Sequence, residues 1–400
     1  MNMVEVMEFD IVVVGGGPGG SMTARDAARD GLDVLMIEKR QEIGSPVRCG
    51  EGIAKIWLDE VGIEPSNRWI ALEVNGARIV APNGQYVDLT EEMAGNETGF
   101  VVHRDAFDRA LAEDAIRSGA KTMLKCSATD VIKDDKGFVV GVKAKQWGKE
   151  MELRAPLVIG ADGFESQVGR WAGIDTKISA KDVNTCLQYE LVGIDIDRFY
   201  NEFHIGSMAP GGYVWLFNKS ADSANVGIGV NLAMVKQPGD VKRYLDKFIE
   251  GQPRLVKGQN VETVAGAVSV GMPLECVTTD GLMLVGDAAR MIDPLTGGGV
   301  SNACIAGQVA ARVAKEAHEA GDFSKEFFQR YEEGWRAKIE DQLFRNYIAK
   351  EKLLELTDDT INKIIDSLQG YKIERITTAD ILRMVQERYP EIMKELADLL

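Results

Sequence analysis

The 400-residue sequence predicts an α/β (α+β) fold, in which a parallel sheet is interrupted in sequence by an antiparallel one and followed by helices. Three observations support this fold class. Four apolar runs lead directly into turns, as parallel strands do, at residues 9–14, 34–37, 157–160 and 282–285. Short alternating runs fill residues 180–270, which is typical of an antiparallel sheet. Residues 321–400 show apolar spacings of three and four, which are typical of helices.

The first element is a glycine-rich turn between the first two apolar runs. Gly15 lets the chain turn tightly, Gly17 lets the backbone approach a pyrophosphate, and Gly20 lets the next helix pack closely on the strand. The N-terminus of that helix faces the phosphate charge. Glu38 ends the second run, where its carboxylate can accept hydrogen bonds from ribose hydroxyls. This pattern predicts a dinucleotide-binding unit, and a glycine-rich turn without a ligand is the alternative.

Two later strand-turn-helix junctions refine the prediction. The run at 157–160 leads to Asp162, and the run at 282–285 leads to Asp287. Asp287 is placed to accept a hydrogen bond from a ribityl hydroxyl, and the glycines that open the next helix offer N–H groups to the pyrimidine edge of a flavin. Each junction alone has an ordinary structural interpretation, but three in this order favour a flavin dinucleotide. The helix-opening glycines are Gly297, Gly298 and Gly299.

Periodicity predicts the elements between these junctions. Residues 101–118 have the apolar spacing of an amphipathic helix. Residues 121–153 alternate apolar and polar around a hairpin turn at 134–137, as a small antiparallel sheet does. The strands expected in the larger antiparallel sheet are Thr185–Val192, Phe199–Ile205, Tyr213–Phe217 and Ala224–Val230.

The C-terminal region carries an apolar stripe, with charged residues on the opposite face. Packing of this stripe on the body of the protein is the simpler interpretation. The alternative is that part of it lines an apolar tunnel or meets a membrane surface. The stripe consists of Phe328, Tyr331, Trp335, Ile339, Leu343 and Tyr347, widened by Phe327, Phe344 and Ile348.

Composition argues against several classes of protein. A net charge of −16 and a pI near 4.9 argue against nucleic-acid binding and against electrostatic docking on anionic lipid. No run of about 18 apolar residues is present, and the acidic start lacks the basic region of a signal peptide. We therefore expect a cytoplasmic protein, either soluble or peripherally attached to a membrane. Five cysteines and three histidines show no ligand spacing, so no metal site is predicted.

Three motifs together resemble a known group of flavoproteins. They are GGGPGG at 15–20, GADGFESQVGR at 160–170 and GDAARMIDPLTGGG at 286–299. In order and spacing they resemble the flavoprotein superfamily of p-hydroxybenzoate hydroxylase. Within it, the chain is most similar to the geranylgeranyl reductases, particularly the archaeal enzymes that saturate digeranylgeranylglycerol phospholipids. The resemblance covers residues 8–350.

Three details favour the reductase branch, and two positions depart from the usual patterns. Residues 46–50 resemble the Cys-Gly loop beside the flavin, and residues 213–217 resemble the YxWxFP motif of the reductases. Gly169 is an insertion relative to the aromatic hydroxylases. Asn218 stands where the reductase motif usually has Pro, which leaves the end of that strand open. Arg290 stands where hydroxylases often have His, which argues mildly against a hydroxylase.

The resemblance implies FAD as the cofactor and a fold of the p-hydroxybenzoate hydroxylase type, built on a Rossmann-like FAD-binding domain. Residues 121–153 would form the small three-stranded sheet of that domain. Arg104 matches an arginine that contacts the cofactor, whereas a solvated charge at a helix start is the alternative. The implied divisions are a discontinuous FAD-binding domain at 1–70, 98–175 and 271–320, an inserted antiparallel-sheet substrate domain at 71–97 and 176–270, and a C-terminal helical region at 321–400.

The motifs and the resemblance together give one set of candidate cofactor-binding residues. Arg48 has two possible roles, because it could serve either the flavin or a substrate phosphate. The set is Gly15, Gly17, Pro18, Gly19, Gly20, Glu38, Lys39, Arg48, Cys49, Gly50, Arg104, Ala128, Asp162, Gly163, Gly286, Asp287, Pro294, Gly297, Gly298, Gly299 and Val300.

The candidate catalytic residues are Cys49, Tyr213, Trp215 and Phe217. Reduction of an isolated C=C bond needs a hydride, which a reduced flavin can supply, and a proton. The three aromatic residues alternate along a strand, so their rings share one face. They could line an apolar channel and favour positive charge by about 0.5–2 kcal/mol each, although core packing is the alternative. The Cys49 thiol has an ordinary pKa of about 8.5, so it could donate or relay a proton, or it could only shape the pocket.

The leading functional prediction is an FAD-dependent reductase that saturates geranylgeranyl chains of archaeal-type glycerolipids. The alternatives are a flavin-dependent monooxygenase of an aromatic or quinone substrate, a prenyl-quinone-tail reductase, and a prenyl-lipid-binding chaperone. The expected partners are a polyprenyl lipid, an external electron donor and no nucleic acid. The donor could be ferredoxin, a deazaflavin or NAD(P)H, because no second nucleotide motif is visible.

Overall fold

The computed structural model describes residues 4–90, 99–369 and 378–395. Within these ranges the strands are β1 (Glu5–Glu8), β2 (Ile11–Val14), β3 (Val34–Glu38), β4 (Gly52–Ala54), β5 (Ile70–Glu73), β6 (Gly76–Val80), β7 (Tyr86–Thr90), β8 (Gly99–Val102), β9 (Lys121–Leu124), β10 (Cys126–Lys133), β11 (Val139–Gln146), β12 (Lys149–Arg154), β13 (Leu157–Gly160), β14 (Val183–Val192), β15 (Tyr200–Ile205), β16 (Tyr213–Asn218), β17 (Ser223–Asn231), β18 (Gln259–Ser269), β19 (Thr278–Thr279) and β20 (Leu282–Leu284). The helices are α1 (Pro18–Arg29), α2 (Ile56–Glu60), α3 (Arg104–Arg117), α4 (Gln167–Ala172), α5 (Asp240–Glu250), α6 (Val300–Ala320), α7 (Gln329–Leu353), α8 (Asp358–Ser367) and α9 (Thr378–Arg388).

The central sheet contains all four apolar runs that were predicted as parallel strands, which confirms the fold class. Its order is β19-β20-β13-β2-β3-β9, and only the β19–β20 pair is antiparallel. The strand β9 was expected in the small sheet, and that expectation was wrong. It joins the central sheet because α3 returns the chain parallel to β3, as in a β-α-β crossover.

The small sheet has four strands rather than the expected three. Its order is β1-β12-β11-β10, and the unpredicted β1 pairs in parallel with the edge strand β12. The acidic sequence of β1 gives little strand signal, so backbone pairing to an available edge explains why it forms. The hairpin turn is where it was predicted, because the Asp134 carboxylate accepts hydrogen bonds from the backbone N–H groups of Lys136 and Phe138, each at 2.9 Å.

The predicted helix at 101–118 begins later than expected. Residues 99–102 form β8, which pairs with β4 and β5 in a three-stranded sheet. The apolar residues of β8 are buried by this pairing, so their pattern belongs to a strand and the helix α3 starts at Arg104.

The largest sheet has seven strands in the order β18-β14-β17-β16-β15-β6-β7. All neighbours are antiparallel except β15 and β6. Asn218 remains inside β16, where its side-chain amide donates hydrogen bonds to the carbonyls of Asp197 and Tyr200 at 3.0 and 2.7 Å. The strands come from the two segments predicted as the substrate domain, but the domain boundaries themselves stay predictions.

The C-terminal stripe mostly packs on the body of the protein. Phe328, Tyr331 and Trp335 are fully buried, and the Tyr331 hydroxyl donates a hydrogen bond to the Leu284 carbonyl at 2.6 Å. On the same helix, α7, Phe344 and Ile348 remain exposed. Among the described residues, no helix is both long enough and apolar enough to cross a membrane.

Candidate active site

Three turns meet at one edge of the central sheet, because β2, β13 and β20 are parallel neighbours and their carboxyl ends coincide. Gly15 follows β2, Asp162 lies two residues after β13, and Gly286 lies two residues after β20. The motifs that are far apart in sequence therefore lie around one cleft.

Two helices begin at this cleft without a side-chain cap. The N-cap residues of α1 and α6 are Gly17 and Gly299, and glycine has no side chain with which to accept the first N–H groups. Those groups are therefore available to a ligand, and the positive ends of both helix dipoles add to the attraction for negative charge. Both glycines line the cleft.

Each glycine of the first turn has a different structural role. Gly15 has φ +114°, and a Cβ atom on it would lie 2.2 Å from the Ala161 carbonyl oxygen. A Cβ on Gly20 would lie 2.0 Å from the Gly15 carbonyl oxygen, so α1 can pack on the turn only with glycine there. Among the described residues, no atom lies within 4 Å of a Cβ built on Gly17, which leaves that backbone open to the cleft.

The first part of the cleft, here called the nucleotide half, has a volume of about 400 Å³. Glu38 lies there with its carboxylate fixed by the backbone N–H groups of Gly16 and Arg40, at 3.1 and 2.9 Å. Asp162 accepts a hydrogen bond from the Val168 N–H at 3.0 Å, while its Oδ1 atom is buried without a partner in the described part of the chain. Burial raises the pKa of Asp162, although backbone hydrogen bonds, including the one from Val168, act to lower it.

The second part, here called the flavin half, has a volume of about 350 Å³ and is lined by Cys49, Gly50, Asp287 and the glycines that open α6. The two halves form one elongated cleft, because they share lining residues. The shared residues include Gly17, Arg48, Arg104, Gly163 and Asp287.

Nearly all predicted cofactor-binding residues line this cleft. Gly20 does not, since it packs beneath the turn, and Pro294 lines a neighbouring cavity instead. The residues that line one or both halves are Gly15, Gly17, Pro18, Gly19, Glu38, Lys39, Arg48, Cys49, Gly50, Arg104, Ala128, Asp162, Gly163, Gly286, Asp287, Gly297, Gly298, Gly299 and Val300.

Arg104 and Cys49 lie together in the flavin half. The Arg104 side chain is only 16% exposed and donates a hydrogen bond to Asp108 at 2.7 Å, so it is not a solvated charge at a helix start. Burial raises the pKa of the Cys49 thiol, although the Arg104 charge acts in the opposite direction. The thiol therefore holds its proton at neutral pH. Burial likewise raises the pKa of Asp287, again opposed by Arg104.

The three aromatic residues of β16 line the flavin half and are also packed in a small apolar cluster with Phe203. Tyr213 donates a hydrogen bond from its hydroxyl to the Thr296 carbonyl. Trp215 donates from its indole N–H to the Gln188 side chain at 2.8 Å. Phe217 meets Gly50, where a Cβ would lie 2.9 Å from the ring. The core interpretation therefore holds for Trp215 and Phe217, which are buried, and the channel interpretation stays a prediction.

An apolar cavity of about 760 Å³ adjoins the flavin half. It lies between the seven-stranded sheet and the α7–α8 region, and Tyr213 and Thr296 line both spaces. The residues that line it include Leu353 at the end of α7, Leu356 after it and Ile361 in α8. The alternative interpretation of the aromatic stripe, that it lines a tunnel, does not hold for this cavity, because within the described part of the chain α7 contributes to the lining only through Lys350 and Leu353, which come after the stripe.

Several side chains at the cleft were not predicted. Glu51, Asp108, Gln188 and Thr296 line it, and only the proximity of Glu51 to Cys49 in sequence could have suggested one of them. Gln188 lies in β14, which has an ordinary alternating pattern. Nothing in the local sequence therefore predicts that its side chain accepts a hydrogen bond from Trp215. No cluster of potential metal ligands exists among the described residues.

These features fit FAD. The cleft contains the N-termini of two helices that have glycine N-caps, which suits a pyrophosphate and a flavin edge. The unpartnered Oδ1 atom of Asp162 and the open backbone at Gly17 lie in it, as expected for groups that meet a ligand.

Two family models match the chain. The FAD binding domain matches residues 8–213, and the geranylgeranyl reductase catalytic domain matches residues 182–268. More distant solved structures share only the fold. A p-nitrophenol 4-monooxygenase from Pseudomonas putida has a TM-score of 0.70 at 16% identity over 99% of both chains, and a flavin-dependent brominase has 0.69 at 20% identity over 98% of this chain and 93% of that one.

Much closer similarity extends over almost the whole chain. The digeranylgeranylglycerophospholipid reductase of Thermoplasma volcanium is 48% identical over 394 residues, which are 98% of this chain and 99% of that protein. The Picrophilus torridus protein of that name is 46% identical over 396 residues, 98% of this chain and all of the relative. The crystal structure of a geranylgeranyl bacteriochlorophyll reductase-like protein from Thermoplasma acidophilum has a TM-score of 0.92 at 47% identity, over 99% of this chain and 100% of that chain. The chain therefore belongs to the digeranylgeranylglycerophospholipid reductase family and is an FAD-dependent reductase.

Proposed function

We propose that this protein saturates C=C bonds of geranylgeranyl chains in archaeal-type glycerophospholipids, by hydride transfer from reduced FAD together with a proton. The observation that carries the proposal is the apolar cavity of about 760 Å³ that meets the flavin half at Tyr213 and Thr296. A cavity of this lining suits a hydrocarbon chain, and its contact with the flavin half would bring a double bond to the cofactor. The names of the relatives support the same substrate class.

The cofactor roles follow from the contacts in the cleft. The N–H groups at the start of α1, beside Gly17, would bind the pyrophosphate, and Glu38 would accept the ribose hydroxyls. Asp287 would accept a ribityl hydroxyl, while the N–H groups beside Gly299 would meet the pyrimidine edge of the flavin. Arg104 lines both halves, so its charge would face the cofactor between these two ends.

The substrate roles belong to the side chains around the flavin half. When bound and reduced, FAD supplies the hydride. Tyr213, Trp215 and Phe217 exclude water and present aromatic rings toward a carbon that gains cationic character. Cys49 holds a proton at its buried thiol, which makes it the candidate proton donor or relay.

The substrate must enter from a membrane, and α7 offers a route. Phe344 and Ile348 are exposed on this helix, and Leu353 lines the cavity about 8 Å further along the helix axis. We therefore include peripheral contact of this face with the bilayer in the proposal. We retain ferredoxin, a deazaflavin and NAD(P)H as candidate external electron donors. The donor is identified by testing which of the three bleaches the bound flavin under anaerobic conditions.

The test is an anaerobic single turnover. The purified yellow protein is reduced chemically and mixed with digeranylgeranyl glycerophospholipid, and flavin absorbance and lipid mass are followed together. We expect flavin reoxidation with a mass gain of two hydrogens per reduced bond, and no reoxidation with the fully saturated lipid. A flavin that stays reduced until oxygen is admitted, with unchanged lipid, would contradict the proposal and favour a monooxygenase. Reoxidation by a prenyl quinone but not by the glycerolipid would assign the tail reductase.

A further inference from the structure

Glu51, the residue after the Cys49–Gly50 pair, has an unusual conformation and environment. Its φ is +76°, in the left-handed region that residues other than glycine rarely adopt. Glu51 also carries a carboxylate, although the residue is only 3% exposed. A buried acid in a conformation suited to glycine is costly, so its surroundings must hold it there.

The Glu51 carboxylate is held by three donors. Oε1 accepts a hydrogen bond from the Arg104 backbone N–H at 2.8 Å. Oε2 accepts from Asn225 Nδ2 and from Lys219 Nζ, each at 2.7 Å. These donors lie at the start of α3, on β17 and just after β16. One carboxylate therefore ties the cofactor-side helix to the seven-stranded sheet.

The same contacts fix the turn that carries the thiol. The Glu51 N–H donates a hydrogen bond to the Cys49 sulfur at 3.2 Å. Asn225 Nδ2 also donates to the Gly50 carbonyl at 3.2 Å, and Gln188 Nε2 donates to the Cys49 carbonyl at 3.3 Å. Each residue of the turn is thus bound to the seven-stranded sheet, and Glu51 carries the strongest of these attachments because it is charged.

The ion pair behind the turn is itself buried. The Lys219 side chain is 9% exposed, and its second partner is Glu190 at 3.2 Å. Burial acts to lower the pKa of Lys219, but the charges of Glu51 and Glu190 raise it overall. The ammonium group therefore stays charged, and removal of the Glu51 charge would leave it only partly compensated.

We propose that Glu51 is a positioning residue, whose carboxylate holds the Cys49–Glu51 turn against α3 and the seven-stranded sheet so that the thiol keeps its place in the flavin half. The use of this position during lipid reduction rests on the proposed function. The position itself does not, because thiol reactivity can be measured without any substrate.

The experiment compares Glu51→Gln with the FAD-loaded native protein. Gln has the same size as Glu but no charge, and its amide N–H group must face the donors that bind the Glu51 carboxylate in the native protein. Iodoacetamide alkylation of each cysteine is followed by peptide mass analysis. Cys126 and Cys304 serve as references for general loosening, since both are fully buried and neither belongs to the Cys49–Glu51 turn. We expect Cys49 alone to react at least about tenfold faster, and kcat for the lipid to fall at least about tenfold with KM changed less than about threefold.

The matched control is Glu190→Gln, which removes the other partner of Lys219 but does not touch the turn. It should leave the alkylation rate of Cys49 unchanged. If Glu51→Gln fails to fold, Asn225→Ser removes a donor to both Gly50 and Glu51, and it should raise the Cys49 rate in the same direction but less. Equal acceleration of all three cysteines, or an unchanged Cys49 rate, would overturn the proposal. Selective acceleration of Cys49 in Glu51→Gln, together with a native protein that does not reduce the lipid, would support the positioning role and refute the proposed function.

Discussion

The nucleotide half of the cleft and the apolar cavity are built by different means. Backbone groups shape the nucleotide half, through glycines at tight approaches, an uncapped helix N-terminus and a carboxylate fixed by N–H groups. Side chains from β6, β7, β15 and the α7–α8 region enclose the apolar cavity. A site shaped by backbone groups therefore leaves a local pattern in the sequence. A ligand enclosed by apolar side chains leaves none, because the same residues could equally form core.

The sharpest test of the backbone-built half is Gly20→Val. A Cβ there would lie 2.0 Å from the Gly15 carbonyl oxygen, so either α1 or the turn must shift and the pyrophosphate site is lost. We expect purified protein with no bound flavin, measured by absorbance after gel filtration. The control is Gly251→Ala, where the nearest atoms to the new Cβ are at 3.4 Å and φ is −76°. Normal flavin content in Gly20→Val would show that the turn is not shaped by this contact.

A smaller effect is expected from Asp287→Ala. Loss of a charged hydrogen-bond partner for the cofactor should weaken FAD binding by about tenfold to a hundredfold. Burial raises the pKa of Asp287, so the carboxylate is unfavourable in the folded protein without FAD, and its removal should leave the Tm of the FAD-free protein unchanged or higher. Titration calorimetry and thermal melts measure the two quantities. Unchanged FAD affinity would remove Asp287 from the cofactor site.

Gly15, Gly17, Glu38 and Asp287 line the cleft as predicted, because glycine spacing and an acid at a strand end have direct geometric consequences. Other residues of the nucleotide half, such as Ser127 and Trp171, carry no such pattern and were not predicted. The contacts of all these residues with the cofactor stay predictions. The central sheet followed from four apolar runs, whereas β1 formed by pairing with an available edge, which leaves no pattern of its own.

Prediction was weakest where contacts join distant segments. The aromatic stripe of α7 had two interpretations, and the burial of Phe328, Tyr331 and Trp335 supports the simpler one, packing on the body, whereas aliphatic residues after the stripe line the cavity. Pro294 was grouped with the helix-opening glycines because it is near them in sequence; it lines the apolar cavity, and its contact with the cofactor stays a prediction. Gln188, which binds both Trp215 and the Cys49 carbonyl, could be recognised only in three dimensions.

Trp215→Ala tests whether the side-chain-built region acts on the substrate and not on the cofactor. Loss of one aromatic ring near a developing positive charge should lower the rate of lipid reduction by about tenfold. FAD content should be unchanged, because the nucleotide half and both helix N-termini are untouched. Single-turnover flavin reoxidation measures the rate, and Trp215→Phe is the control that keeps a ring but loses the hydrogen bond to Gln188. Loss of flavin in Trp215→Ala would instead place the ring in the cofactor site.

The smallest effect is expected at the exposed apolar face of α7, for which we proposed contact with the bilayer. Phe344 and Ile348 are 54% and 40% exposed on α7, and the double variant Phe344→Ser with Ile348→Ser should weaken vesicle binding by about threefold to fivefold, because less apolar surface can enter the interface. Co-sedimentation with neutral vesicles measures it, since the net charge of −16 disfavours anionic ones.

The control for this variant is Trp147→Ser, which removes a ring that is 74% exposed at the β11–β12 turn, on a different sheet from the cavity. If both variants weaken vesicle binding equally, the contact is a general property of exposed apolar residues. A selective effect of the α7 variant, with unchanged reduction of a detergent-dispersed lipid, would separate delivery of the substrate from its chemistry. Delivery of the substrate would then depend on exposed side chains of α7, which neither a motif nor a buried contact identifies.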